Sequence, residues 1–133
     1  MKRITPFAIF AVFLGLWTWK LLEPNPVPEA ISQEFSADTK FILAKSLHAG
    51  VYAFLTVLAA FLPVRRPYFW LVVATLMLHG VGTEIGQRYV PNRHGSIRDV
   101  LIDWAGILLG LAMLRVWQMR RGVDSVYTSR GRN

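Results

Sequence analysis

The chain contains no cysteine. Disulfides and thiolate metal centres are therefore excluded. Charge is scarce as well: Asp, Glu, Lys and Arg make up 17% of the residues, and 8 acidic groups face 15 Lys and Arg for a net charge of +7. A basic soluble domain would point to nucleic acid. Here, however, no single amphipathic stripe gathers the basic residues; they stand between apolar blocks. That pattern is one of membrane topology, and no nucleic-acid partner is expected. Also missing are an internal repeat beyond the apolar blocks themselves and any short metal motif of fixed spacing. No metal and no cofactor are expected.

What the chain has in abundance is apolar length. Of its 133 residues 53% are hydrophobic, and the mean hydropathy is +0.36. This is one domain's worth of chain, and its apolar residues fall into four blocks, about 4–22, 41–62, 68–85 and 97–117. Each has roughly the length that an α-helix needs to cross a hydrocarbon core of about 30 Å. The expected fold is all-α: a polytopic membrane protein with four transmembrane helices in an antiparallel bundle. The opening "MKR" followed by an apolar run also suits a signal peptide. The run is longer than a signal core, though, and the bulky "WTWKLLEPNP" that follows offers no small-x-small cleavage site, so an uncleaved first span is expected.

Basic residues orient the spans. Lys2, Arg3, Arg65, Arg66, Arg115, Arg120, Arg121, Arg130 and Arg132 all fall on one side of the four blocks. The segment between the first two blocks holds Glu23, Glu29, Glu34 and Asp38 against Lys40. The positive-inside rule then puts both termini in the cytoplasm of a multi-pass protein of the cytoplasmic membrane. Arg88, Arg93 and Arg98 run against this signal on the outer side, which implies a local task for them. Trp17, Trp19, Tyr68, Trp70 and Trp117 lie near span ends, where aromatic rings favour the interface. Pro24, Pro26 and Pro28 make the start of the first outer loop extended, with a short surface helix expected after them. Residues 118–133 read as a polar cytoplasmic tail without fixed structure.

The stretch "GTEIGQRYVPNRHGSIRDVLIDWAG", residues 82–106, concentrates ionisable groups between two greasy runs. At about 100° per residue, Gly80, Thr83, Glu84 and Gln87 share one face of the third span, and Asp99, Asp103, Gly106 and Gly110 share a stripe of the fourth. Lys45, His48 and Tyr52, three and four positions apart, share a face of the second. All three faces reach the same outer depth. Charged groups at that depth face the bundle interior or a wet cavity, because hydrocarbon exposure costs a few kcal/mol or more per group. An outer-leaflet polar pocket is the expectation, with "GILLG" as a small-xxx-small packing seam below it. Simpler readings exist for single residues. Lys45 suits a snorkelling anchor, Ser96 and Asp99 have capping-box spacing, Asp103 suits a pair with a loop arginine, and His79 suits interhelical packing.

These residues also resemble a known family. Glu84 and Gln87, Pro91, Arg93, Ser96, Asp99, Gly106 and Gly110 look like the hallmark of the VanZ-like family, and Lys45, His48 and Tyr52 match its earlier K-x-x-H-x-x-x-Y/F pattern. The resemblance covers about residues 40–115. Two positions depart from it: Ala44 stands where Asp is common, and Asp103 where Asn is common, which adds a negative charge to that face. VanZ-like proteins are small multi-spanning membrane proteins whose founding member is associated with low-level resistance to teicoplanin, a glycopeptide that binds the D-Ala-D-Ala end of cell-wall precursors. The family has no established reaction, so the resemblance carries no catalytic assignment.

Three functions then compete. The first is binding or modulating an anionic envelope lipid or lipid-linked cell-wall intermediate. Arg93, with Arg88 or Arg98, would hold the head group, oriented by Glu84, Asp99 and Asp103. Lys45, His48, Tyr52, Gln87 and Ser96 complete that ligand-binding set. The second is an intramembrane hydrolase or transferase, with His48 as acid or base beside Glu84 or Asp99. In that variant a divalent ion on Glu84, Asp99, Asp103 and His48 is chemically permissible. The third is a structural role exercised through protein partners.

Overall fold

The computed structural model describes residues 4–24 and 35–130, with side chains as far as Arg121. It is all-helical: α1 (Ile4–Leu22), α2 (Ala37–Ala59), α3 (Arg66–Gln87) and α4 (Ile97–Arg130). All four are long and apolar enough to cross a membrane, α4 over Ile97–Arg121. The short surface helix expected before α2 lies outside the described residues for most of its length.

Helix ends follow local capping rather than hydropathy. The second span begins at Ala37, ahead of the apolar run, because Ser36 accepts a hydrogen bond from the Thr39 amide at 3.2 Å and Asp38 sits in the first turn. Such a cap makes a polar first turn helical. α2 closes at Ala59, and residues 60–65 turn the chain into α3, where Pro67 occupies the first turn and so forgoes only an amide that has no helical partner. α4 departs furthest from expectation. It continues past 117 to Arg130, where a tail without fixed structure was expected. The run "WQMRR" contains good helix formers and no breaker, so nothing stops the helix at the end of its apolar part.

The core lies between the helices and is small. Trp17 and Leu21 of α1, Tyr52 and Leu55 of α2, Val73 and Leu76 of α3 and Ile107 of α4 form it. Trp17 was expected among the interfacial aromatics. It is instead 7% exposed, its ring edge-to-face with His48 and Tyr52 at 5.4 and 6.5 Å. Trp19, Tyr68, Trp70 and Trp117 do lie at the surface. Large apolar side chains such as Phe7, Leu16, Leu47, Leu78 and Leu108 also point outward, a surface suited to lipid.

The most extensive packing joins α2 and α4, and glycine makes it possible. A Cβ on Gly106 would lie 2.3 Å from the Ala49 carbonyl oxygen, and one on Gly110 would lie 2.6 Å from that of Ala53. The two backbones touch. This is how small residues bring membrane helices together where apolar burial gives little drive. The seam fixes how α2 and α4 are rotated against each other, and so which polar side chains meet above it.

Candidate functional site

At the end of the bundle that carries the α3–α4 loop, three helices contribute polar side chains to one cluster. From α2, Lys45 forms an ion pair with Asp99 of α4. One turn deeper, His48 donates from Nδ1 to Asp103 Oδ1 at 2.9 Å. From α3, Glu84 Oε2 accepts from the Ser96 amide at 2.7 Å. Asp103 is wholly buried, Glu84 and Gln87 are 4% exposed, and Asp99 and His48 are 7% and 9% exposed. The cluster is a largely buried network at the place where the sequence suggested a polar pocket. Two clefts in the molecule are lined by other residues: one by Phe13, Leu47 and Phe54 between α1 and α2, the other by Arg66, Trp70 and Arg115 at the far end.

Several expected pairings are replaced by others. Asp99 does not close a capping box. Ser96 Oγ accepts from the Arg98 amide at 3.2 Å, but the Ser96 amide, which a box would offer to the third helical residue, goes to Glu84. Asp99 is left free for Lys45, which is thus an ion-pair partner and not merely an anchor. Asp103 pairs with His48 rather than with a loop arginine. Arg93 does not lean on Glu84, Asp99 or Asp103. It donates from Nη2 to the Leu21 carbonyl at 2.7 Å, on the last turn of α1, where carbonyls lack helical partners and a cation is favoured. Each carboxylate that was to orient Arg93 has one oxygen engaged elsewhere. Arg88 and Arg98 are exposed.

The loop is seated tightly on α3. Asn92 takes φ 61°, a left-handed conformation that Asn tolerates better than most residues. A Cβ on Gly95 would fall 1.9 Å from the Glu84 carbonyl oxygen, so only glycine permits this approach.

Tyr52, expected in the ligand-binding set, sits below the cluster. Its hydroxyl donates to His79 Nδ1 at 2.9 Å. Thr18 Oγ1 gives its proton to the Leu14 carbonyl at 2.7 Å and lies 2.8 Å from His79 Nε2. With that proton committed, Nε2 is the donor of this pair, and both ring nitrogens of His79 are hydrogen-bonded. His79 thus joins α1, α2 and α3, the packing role expected of it. Thr18 and Trp17 carried no polar signal in the sequence that marked them as neighbours of the cluster. A face drawn on α1 from Leu14, Thr18 and Leu21 would have been the way to find them. Gly80 completes the layer: a Cβ there would stand 3.1 Å from Asp103 Oδ2 and 3.5 Å from the Tyr52 hydroxyl.

Five buried polar atoms have no hydrogen-bond partner among the described residues: Trp17 Nε1, Glu84 Oε1, Gln87 Nε2, Arg93 Nε and Asp103 Oδ2. Buried polar groups are ordinarily paired. Two of them, Glu84 Oε1 and Asp103 Oδ2, belong to carboxylates of the cluster.

The arrangement can be compared with known proteins. A family model described as VanZ/LLP1 matches residues 2–118. The chain belongs to the VanZ/LLP1 family. Lys45, His48, Glu84, Gln87, Ser96, Asp99 and Asp103 of this VanZ/LLP1 protein all lie within the matched span, which also takes in the first helix, beyond the reach of the motif resemblance. No curated protein and no solved structure matches the chain. It is a multi-pass VanZ/LLP1 membrane protein with four apolar helices.

Proposed function

We propose that this protein binds or modulates an anionic lipid, or a lipid-linked cell-wall intermediate, at the outer face of the cytoplasmic membrane. The observation that carries the reading is the rim of the cluster. Exposed Arg88 and Arg98 flank the α3–α4 loop, and the buried network beneath them holds that loop through Glu84. Guanidinium groups suit phosphate and carboxylate, which they can grip with two parallel hydrogen bonds. Arg93 belongs to the scaffold of the loop rather than to its binding face. The orientation draws on the basic far end, with Arg65, Arg66, Arg115, Arg120 and Arg121, which suits the cytoplasmic side. Altered susceptibility to glycopeptides such as teicoplanin would follow if the ligand is a cell-wall intermediate.

The test is mass spectrometry of lipids that co-purify with the protein, native against a double variant Arg88→Ala, Arg98→Ala. Anionic lipid enriched with the native chain and depleted at least tenfold in the variant is the expected result. Equal lipid content in both would end the proposal. Sidedness has its own test, which the absence of native cysteine makes clean. His94→Cys should be labelled by a membrane-impermeant maleimide in intact cells, and protection there would reverse the orientation.

An intramembrane enzyme is the second reading. His48 donating from Nδ1 to Asp103 resembles the way a carboxylate orients a catalytic imidazole. The burial of both groups favours binding at the rim over chemistry within the cluster.

A further inference from the structure

The cluster has an imbalance that its own hydrogen bonds leave open. Asp99 is neutralised by Lys45. Glu84 and Asp103 remain, with the His48 imidazole beside Asp103 and Arg93 turned away to α1. Each of these two carboxylates keeps one buried oxygen, Glu84 Oε1 and Asp103 Oδ2, without a hydrogen-bond partner among the described residues. Both residues are more than nine-tenths buried. Two carboxylates with free oxygens are costly in an apolar bundle unless protons or a cation compensate them.

Geometry points to the cation. One ligating atom from each of His48, Glu84 and Asp103 lies within 4.8 Å of the other two. Neighbouring ligands about 2.1 Å from a tetrahedral ion stand about 3.4 Å apart, so side-chain movements of about an ångström complete the set. Gly80 keeps the neighbourhood of Asp103 Oδ2 clear, since a side chain on that face of α3 would begin 3.1 Å from it. The three groups come from α2, α3 and α4, one each.

We propose that His48, Glu84 and Asp103 form a binding site for a divalent first-row transition ion, Zn²⁺ or Mn²⁺. The donor set of one imidazole and two carboxylates favours these over Mg²⁺ and Ca²⁺, which prefer oxygen alone. With neutral His48, a 2+ ion balances the two carboxylates, so the site as a whole carries no net charge. The ion ties three helices at one depth and holds the end of α3 to which the loop is fastened. The sequence made an ion on Glu84, Asp99, Asp103 and His48 chemically permissible but offered no spacing motif, because the ligands stand on three separate helices; the geometry drops Asp99, which Lys45 holds. The proposal does not depend on lipid binding at Arg88 and Arg98.

The test uses full-length protein in detergent, stripped with chelator and dialysed separately against Zn²⁺ and Mn²⁺, with bound metal counted by inductively coupled plasma mass spectrometry. About one ion per chain is expected for one of the two metals. Glu84→Gln and Asp103→Asn should each reduce occupancy at least tenfold at the same free ion. The melting temperature should rise with ion concentration in the native protein and not in the variants. X-ray absorption on the loaded native protein should show nitrogen and oxygen ligands with a single imidazole, and this decides the matter alone if a variant fails to fold. Folded native protein that binds neither ion, occupancy unchanged in Glu84→Gln, or an absorption spectrum without imidazole would each overturn the site.

Discussion

The helices α4 and α1 are built by opposite means. α4 meets α2 backbone to backbone through Gly106 and Gly110, and above that seam it sends Asp99 and Asp103 into paired contacts. α1 makes its contacts with a few large or polar side chains. Among its residues only Trp17 and Leu21 are buried, and two polar attachments, Thr18 to His79 and the Leu21 carbonyl to Arg93, hold it in register. Gly15, in the middle of α1, has nothing within 4 Å of where a Cβ would stand. In a bilayer, lipid competes with any apolar contact, so close approach and polar pairing decide which helices adhere. α4 uses both over much of its length, and α1 uses the second at two points.

The contrast can be broken most severely at the seam. Gly106→Val would force α2 and α4 apart and is expected to cost about 3 kcal/mol or more, read as loss of monodisperse protein in detergent. Gly15→Ala in α1 should leave the melting temperature unchanged, and a comparable loss there would erase the distinction between the helices. Next in size is Lys45→Met. It strands Asp99, which is 7% exposed, and should cost about 2 kcal/mol in thermal or denaturant unfolding. Arg93→Met removes one charged hydrogen bond to α1 and should cost about 1 kcal/mol. It should also speed proteolysis near the end of α1 more than anywhere in α4. The smallest effect is expected from Thr18→Val, about 0.6 kcal/mol, the average worth of such a bond between membrane helices. Its signature is faster hydrogen exchange in α1 with α2 and α4 unaffected.

The same contrast separates what could be read from the sequence from what could not. Four spans follow from block length, and the polar faces of α2, α3 and α4 follow from helical periodicity. "GILLG" announces the seam. Pairing inside the cluster was not legible, because Asp99 and Asp103 share one stripe, and which of them meets Lys45 depends on how far α4 is slid along α2, set by contacts with the main chain of Ala49 and Ala53. Arg93 was assigned to an anion because an arginine in sequence advertises its charge. Its partner is a peptide carbonyl, which every residue possesses and none displays. Trp17 misled for a related reason: a tryptophan near a span end has the same hydropathy whether it faces the interface or, as here, His48 and Tyr52. The start of α2 was set by the hydroxyl of Ser36, which a reading by apolar length passes over.

The bond from Arg93 to Leu21 spans 72 positions of chain. A membrane protein is threaded into the bilayer from its N-terminus onward, so α1 arrives with its final carbonyls still awaiting a donor. The residue that supplies it emerges only after two further spans have been made. The C-terminal end of α1 is thus fastened only after α2 and α3 have been made, and the loop between α3 and α4 serves as the clasp that closes these four helices.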